Sequence, residues 1–309
     1  MKTWLKYFGQ TVITVLVTWF IMDRVELDLA ALRELDVDLL KPNLLLLTTS
    51  SLLLLFGYAI SAANWARIVS DLGGPQIPRT DAVRLFMIAN LGRYIPGKVW
   101  QITGLAALAK GRGVPPGTAV GAAVLGQGIA LVVAAGLGIG SYASISPTGH
   151  VGLIAGVLIG CVLILVAIPV SFRAGAELWL RLRGTAPIEA LDPISGLRWL
   201  ILYLFNWIVY ALAFWIMVVS FSSNASLIPV ATAFPAAYVL GYLMIFAPAG
   251  LGVREGFLIA FLAPHLGVGP SGVIAIIARM WTTLIEVVPA SVFWLQHTTT
   301  KRVGESAVQ

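Results

Sequence analysis

The sequence contains long runs of apolar residues, each about 20 residues in length and almost free of charge. A run of this length crosses the hydrocarbon core of a bilayer when it is helical. A helix satisfies its backbone hydrogen bonds within the segment itself, as the interior of a bilayer requires. We therefore predict an all-α polytopic membrane protein with about six full spans. The predicted spans are 5–22, 44–65, 118–145, 151–172, 199–221 and 272–295.

The composition excludes other classes of protein. Hydrophobic residues make up 59% of the chain and charged residues 11%, whereas soluble domains carry about 25% charged residues. A soluble globular domain, a disordered chain and a nucleic-acid-binding domain are therefore excluded, although the pI is near 9.6. Cys161 stands alone, and His150, His265 and His297 are far apart in sequence. We expect no disulfide framework, no metal site and no cofactor.

The first run raises the question of a signal peptide, because Lys2 and Lys6 lie at its start. The run is long for the hydrophobic region of a signal peptide, and no small-residue cleavage site follows it. We expect a retained transmembrane helix.

Two further apolar segments are broken in the middle. Pro96-Gly97-Lys98 interrupts segment 85–109, and Pro229, Pro235 and the glycine-rich stretch 247–256 interrupt segment 228–263. Each half is too short to span a bilayer. We predict two re-entrant helical hairpins, each entering and leaving on one side of the membrane.

The distribution of bases predicts the topology. If the N-terminus is cytoplasmic and both broken segments are re-entrant, most of the loop Lys and Arg residues lie in the cytoplasm, whereas Arg24, Arg33 and Lys41 lie outside. The order span, span, hairpin, span then occurs twice with opposite orientation. The prediction is an inverted-topology repeat of residues 1–149 and 150–297, with a polar cytoplasmic tail at 298–309.

The first break carries groups that suit an anion. A helix that starts at Lys98 presents free N–H groups and partial positive charge, and Arg93 lies five residues earlier. Tyr94 and Trp100 could cover a bound phosphate headgroup, while Asn90 and Gln101 could donate hydrogen bonds. The alternative is that Arg93 and Lys98 extend their charges to the cytoplasmic interface.

The second break and the last span carry further charges. Arg254 and Glu255 lie in the glycine-rich stretch, and Arg279 and Glu286 are seven residues apart on the last span. Arginine at membrane depth usually faces a partner or water. The excess of bases favours an anionic substrate. The alternative is an Arg279–Glu286 or Arg254–Glu286 ion pair that locks helices together.

The span at 118–145 is rich in glycine, and we expect its glycines to allow close helix packing rather than to bind a nucleotide. They are Gly121, Gly126, Gly128, Gly136, Gly138 and Gly140.

The two breaks resemble the signatures of a known family. Residues 90–99, Asn-Leu-Gly-Arg-Tyr-Ile-Pro-Gly-Lys-Val, and residues 248–256, Pro-Ala-Gly-Leu-Gly-Val-Arg-Glu-Gly, are similar to the two signatures of flippase-like membrane proteins. That family includes the transmembrane domain of lysylphosphatidylglycerol synthases, and the likeness covers about residues 5–297. It implies a flippase for aminoacylated phospholipids or for polyprenyl- and hopanoid-type lipids. The substrate-binding residues that we predict are Asn90, Arg93, Tyr94, Pro96, Gly97, Lys98, Gln101, Pro248, Gly250, Gly252, Arg254, Glu255, Arg279 and Glu286.

Two departures from the family qualify this expectation. The sequence has no counterpart of the soluble aminoacyl-transferase domain that follows the membrane part in lysyl-lipid synthases, so we expect it not to make the lipid. Many relatives carry charges early in the span after the first hairpin, whereas residues 124–128 here read Val-Leu-Gly-Gln-Gly.

We therefore expect a lipid flippase of the cell membrane rather than an enzyme, since no nucleophile–base pair or metal set is visible. The expected partner is a membrane lipid. Two alternatives stay open: a transporter or channel for a small soluble anion, and a membrane scaffold for a separate glycosyl- or aminoacyl-transferase.

Overall fold

A computed structural model describes the backbone of residues 41–95, 99–144, 192, 194–244, 250 and 252–306, and the side chains of all of these except 143, 144 and 297–306. The regular secondary structure of these residues is entirely helical, which confirms the predicted class. The predicted spans 5–22 and 151–172 lie outside the described residues. So do the predicted site residues Pro96, Gly97, Lys98 and Pro248.

Four helices in the described part of the chain are long and apolar enough to cross a membrane. They correspond to the remaining four predicted spans, so the chain is a multi-pass membrane protein. They are α1 (Leu44–Asp71), α4 (Pro116–Leu137), α6 (Ser195–Phe221) and α9 (Val268–Ser306). The number of full spans, the re-entrant topology, the repeat and the orientation of the termini stay predictions.

The first broken segment folds as two short helices around an interruption. Helix α2 (Arg79–Asn90) passes into a 3-10 helix (Leu91–Tyr94), and α3 (Trp100–Lys110) follows the break. Ile95 has φ −86° and ψ 131°. This extended conformation is the one expected of a residue that precedes proline. The predicted break in this segment is therefore confirmed.

The second broken segment differs in part from the prediction. Helix α7 (Leu227–Leu243) is continuous, with Pro235 inside it, so Pro229 and Pro235 do not break it. Pro229 lies in the first turn, where its missing N–H is not needed. The break comes later, before α8 (Val253–Leu266). Gly250 and Gly252 have φ +70° and +79°, a left-handed backbone that glycine adopts readily.

Two predicted ends also differ from the structure. The predicted span 118–145 consists of α4 and a separate short helix, α5 (Ile139–Ser144), joined at Gly138. The last helix continues through the predicted polar tail as far as Ser306.

Glycines permit close helix contacts at two of the predicted positions. A Cβ at Gly138 would lie 2.8 Å from the Cβ of Ala236 on α7, and a Cβ at Gly126 would overlap the Tyr203 hydroxyl on α6. The packing role is therefore confirmed for these two glycines. For Gly128 and Gly140 it stays a prediction, since no described heavy atom lies within 4 Å of an added Cβ there.

The helices surround a charged centre. The long helices α1 and α6 pack against each other, the first hairpin lies against α1, α4 and α9, and the second lies against α4, α6 and α9. Helix α9 thus contacts both hairpins. Both hairpins therefore contact α4 and α9.

Candidate functional site

Two adjoining cavities lie between the hairpins and the long helices. The larger has a volume of about 110 Å³ and the smaller about 60 Å³. A water molecule needs about 10–15 Å³ of such space, so both cavities can be hydrated. The wall that they share consists of Arg93, Gln101, Tyr238, Tyr242, Arg254 and Glu286. Residues from both predicted hairpins therefore meet at one place.

Glu286 of α9 is the acceptor of a buried cluster at this wall. Its side chain is 4% exposed, and Arg93 Nη1 lies 2.5 Å from its Oε1. The hydroxyl of Tyr94 donates to Oε2 at 2.6 Å, and the hydroxyl of Tyr58 on α1 donates to Oε1. The three donors compensate the carboxylate for its lost hydration. The cluster ties the first hairpin to α1 and α9.

Asn90 and Gln101 connect the two arms of the first hairpin. Gln101 Nε2 on α3 donates to Asn90 Oδ1 on α2 at 2.6 Å, and Arg93 Nη2 donates to the same oxygen at 3.3 Å. These hydrogen bonds hold the arms together across the break. They also orient the Arg93 guanidinium toward Glu286.

Arg254, at the start of α8, lines both cavities. Its guanidinium lies 4.7 Å from the centre of the Phe234 ring on α7. No ion pair or hydrogen bond joins it to any residue that the structure describes. Gly241 lets α7 approach closely, since an added Cβ would lie 2.9 Å from the Cβ of Arg254. The result is a cation at the cavity wall that makes no direct ion pair or hydrogen bond with a described side chain.

Glu255 and Arg279 form a second ion pair. Arg279 Nη1 on α9 lies 3.5 Å from Glu255 Oε1, and its guanidinium carbon lies 5.9 Å from the centre of the Tyr94 ring. Glu255 also accepts a hydrogen bond at 2.7 Å from the backbone N–H of Gly252, which caps α8. Arg279 therefore joins α9 to the second break.

The sequence predicted the wrong ion-pair partners for Glu286 and Arg279. Glu286 pairs with Arg93 of the first hairpin, rather than with Arg279 or Arg254, and Arg279 pairs with Glu255. The charged residues described at the site are Arg93, Arg254, Arg279, Glu255 and Glu286. Three arginines against two glutamates give the excess of positive charge that the sequence predicted. Trp100 does not cover the site, because its side chain is 46% exposed and lines neither cavity.

Several polar side chains of the long helices were not predicted for the site, although they line the larger cavity. Ser61, Asn206 and Tyr210 are joined by hydrogen bonds of 2.6 Å and 2.8 Å through the Ser61 hydroxyl. Gln127 Nε2 donates to the Tyr238 hydroxyl at 3.3 Å. The signal that could have found them is a polar residue in the middle of an apolar span, which usually faces the interior.

An open apolar groove lies beside the charged cluster, on the outside of the first hairpin. Its volume is about 480 Å³. Its walls come from α2, the 3-10 helix and α9, and they consist of Ile88, Leu91, Gly92, Ile95, Ser291, Trp294 and Leu295. Residues of the 3-10 helix thus face an apolar surface on one side and the charged cavities on the other.

The described charged residues around the two cavities leave a net positive charge at the site. In the described part of the chain, no three His, Cys, Asp or Glu side chains lie close enough to hold a metal ion. No curated protein and no solved structure matches the chain significantly. The family model described as the lysylphosphatidylglycerol synthase TM region matches residues 7–290. Because this match covers most of the sequence, the chain belongs to the lysylphosphatidylglycerol synthase transmembrane-region family.

Proposed function

We propose that this protein is a lipid flippase that carries a phosphate-bearing headgroup between leaflets of the cell membrane. The observation that carries the proposal is Arg254, a cation at the wall of both cavities with no ion-pair partner among the described residues. Removing arginine from water costs free energy that a bound anion would recover. A phosphate offers the bidentate acceptor geometry that a guanidinium prefers.

The apolar groove gives the lipid tails a place outside the charged cavities. A flippase must keep the tails in lipid while the headgroup crosses through a polar interior. The groove begins at Ile95 and Gly92, next to Arg93 of the headgroup site. A lipid could therefore place its phosphate at the shared wall while its tails follow the groove.

Helix α9 is suited to couple the two hairpins during transport. Glu286 holds the first hairpin and Arg279 holds the second break. Two ion pairs that break and re-form in turn would open the cavities alternately to each leaflet. Such alternating access of two repeats is common in secondary transporters. We infer a transporter rather than an enzyme, with its N- and C-termini in the cytoplasm.

The test is lipid movement in liposomes. The purified chain is reconstituted with fluorescent phosphatidylglycerol, whose outer-leaflet fraction is bleached by dithionite. We expect bleaching to pass well beyond the outer-leaflet half with the wild type, and to fall toward the level of empty vesicles with Arg254→Ala. Arg112→Ala is the matched control, because Arg112 is 44% exposed and pairs with Asp81 away from the cavities.

The other outcomes separate the alternative functions. Uptake of a soluble anion without lipid movement would favour an anion transporter. If neither occurs and Arg254→Glu leaves the activity of a partner transferase intact, the protein is a scaffold. If Arg254→Ala moves every tested lipid as fast as the wild type does, the proposed site is wrong.

A further inference from the structure

Away from the shared wall, the larger cavity carries neutral hydrogen-bonding side chains among apolar ones. These side chains come from α1, α4 and α6 and bear hydroxyl or amide groups. They are Ser61, Gln127, Tyr203, Asn206 and Tyr210. Neutral donors and acceptors of this kind match the hydroxyls of a polyol.

The charges of this cavity are confined to the shared wall. Among the described lining residues, Glu286 is the carboxylate, and Arg93 already neutralises it. An ammonium group in the cavity would meet no unpaired carboxylate there, and Arg254 would repel it. The wall therefore suits the phosphate, whereas the remainder of the cavity suits a neutral group.

Two buried polar atoms beside the cavity also lack partners in the described structure. The Oδ1 of Asn206 accepts no hydrogen bond and the Nε1 of Trp65 donates none, and both residues line the cavity. Asn206 is 2% exposed and Trp65 1%. Buried polar atoms normally have a partner, whether protein, water or ligand. Both atoms are enclosed by their neighbours, so a ligand in the cavity would reach them only after the side chains of Asn206 and Trp65 turn toward it.

The aromatic walls of the larger cavity favour a ring-shaped ligand. Trp207 packs edge-on against Tyr210 and Tyr238, with ring centres 5.5 Å and 5.0 Å apart, so much of the cavity wall is aromatic. A pyranose or cyclitol ring has apolar C–H faces that fit such a wall and hydroxyl edges that reach polar groups. A cavity of about 150 Å³ accepts benzene. The larger cavity, at about 110 Å³, is smaller than that, so a hydroxylated ring would have to extend into the adjoining 60 Å³ or push the side chains of the wall apart.

We propose that the preferred headgroup is a neutral polyhydroxylated ring on a phosphate, such as a hexose or inositol phosphate lipid. The phosphate lies at Arg254, and the ring lies in the larger cavity against Gln127 and Asn206. This inference rests on the proposed function. It assigns the headgroup to a different chemical class from the aminoacylated lipids that the family resemblance implied.

Equilibrium binding to the purified full chain in detergent micelles tests the assignment. The probes are phosphatidylinositol, phosphatidic acid and lysylphosphatidylglycerol with identical acyl chains. Hexosyl polyprenyl phosphate tests a ring-bearing headgroup on a polyprenyl tail instead of acyl chains. Soluble inositol 1-phosphate tests the headgroup without any tail. We expect phosphatidylinositol to bind at least about tenfold more tightly than phosphatidic acid and the lysyl lipid, which corresponds to a few additional hydrogen bonds.

Substitutions test whether the larger cavity causes the tighter binding of the ring-bearing lipid. Gln127→Met should abolish the advantage of the ring-bearing lipid while leaving the affinity for phosphatidic acid within about twofold. Arg254→Ala should weaken all the phosphate lipids together. The assignment is overturned if the lysyl lipid binds as tightly as phosphatidylinositol, or if the ring preference survives in both Gln127→Met and Asn206→Ala.

The same lipids in the liposome assay separate the two proposals. If phosphatidylinositol is preferred in binding but does not cross, the flippase is wrong and the headgroup assignment stands. If all lipids cross at equal rates, the headgroup assignment is wrong and the flippase stands.

Discussion

The guanidinium of Arg93 and the carboxylate of Glu286 lie 2.5 Å apart, although the two residues are 193 positions apart in the chain. Arg93 belongs to the first broken hairpin, and Glu286 belongs to the last described helix. The pair therefore closes the helical assembly at its charged centre. It also identifies the residue that compensates Arg93, which leaves Arg254 as the cation available to an anionic ligand.

Removal of one partner of this pair should cost more than removal of both. Arg93→Met leaves the Glu286 carboxylate buried without a counter-charge, and Glu286→Met leaves the Arg93 guanidinium without its ion-pair partner. A broken buried pair costs about 3–5 kcal/mol, whereas replacement of both charges by apolar groups is often nearly neutral. Arg93 is partly exposed, so we expect about 3 kcal/mol for each single variant.

Thermal unfolding of the two single variants and the double variant in detergent measures this coupling. The double variant should be clearly more stable than the sum of the single losses predicts. Losses that simply add would mean that the two side chains do not interact in the folded protein.

Arg254→Ala should reduce lipid binding without reducing stability. No described residue forms an ion pair with Arg254, and an arginine at membrane depth costs about 2.5–3.5 kcal/mol on insertion scales. Its removal loses the contact with the Phe234 ring, worth about 0.5–2 kcal/mol, and relieves that cost. We expect a melting temperature within a few degrees of the wild type and a weaker affinity for phosphatidic acid.

Arg279→Ala is the comparison for this prediction. It leaves Glu255 without the ion pair at 3.5 Å, so it should lower the melting temperature. An Arg254→Ala variant that loses as much stability as Arg279→Ala would show that Arg254 has a structural partner rather than a ligand.

Gly92→Ala should separate the arms of the first hairpin. A Cβ at Gly92 would lie 2.7 Å from the backbone nitrogen of Gln101 and from the backbone carbon of Trp100. Backbone atoms cannot move aside as a flexible side chain can, so the overlap should cost about 1–3 kcal/mol. It should also weaken the 2.6 Å hydrogen bond between Gln101 and Asn90.

Gly104 provides a control in the same hairpin, since no described heavy atom lies within 4 Å of an added Cβ there. Gly104→Ala should preserve or raise the melting temperature, because alanine favours helix by about 1 kcal/mol over glycine. Equal losses in the two variants would contradict the close approach at Gly92.

Much of the helical architecture could be predicted from local sequence. The long apolar runs predicted the four described spans, and Pro96 predicted the first break, since proline constrains the residue before it. Pro229 and Pro235 were wrongly predicted to break the second segment, because the effect of proline depends on its position in the helix.

The partners within the site could not be predicted in the same way. Which face of α9 meets the first hairpin depends on helix rotation and packing, which residue spacing alone does not give. The spacing of Arg279 and Glu286 suggested a pair on one helix, whereas each residue pairs with a different hairpin. Tyr58 and Asn206 were missed because hydropathy averages over single polar side chains.

Gly126→Ala should disturb the wall of the larger cavity. An added Cβ would overlap the hydroxyl of Tyr203, which lines that cavity, and would lie 3.3 Å from the Cδ1 of Ile68. The Tyr203 ring would have to move, so we expect a loss of about 1–3 kcal/mol and weaker binding of the ring-bearing lipid.

Two further variants make this prediction specific. Tyr203→Phe in the Gly126→Ala background removes the overlapping hydroxyl, so part of the lost melting temperature should return. Gly128→Ala adds the same methyl group to the same helix where no described heavy atom lies within 4 Å, and it should cost nothing. If Gly128→Ala is as harmful as Gly126→Ala, or if Tyr203→Phe gives no recovery, the close contact between α4 and α6 at the cavity wall is wrong.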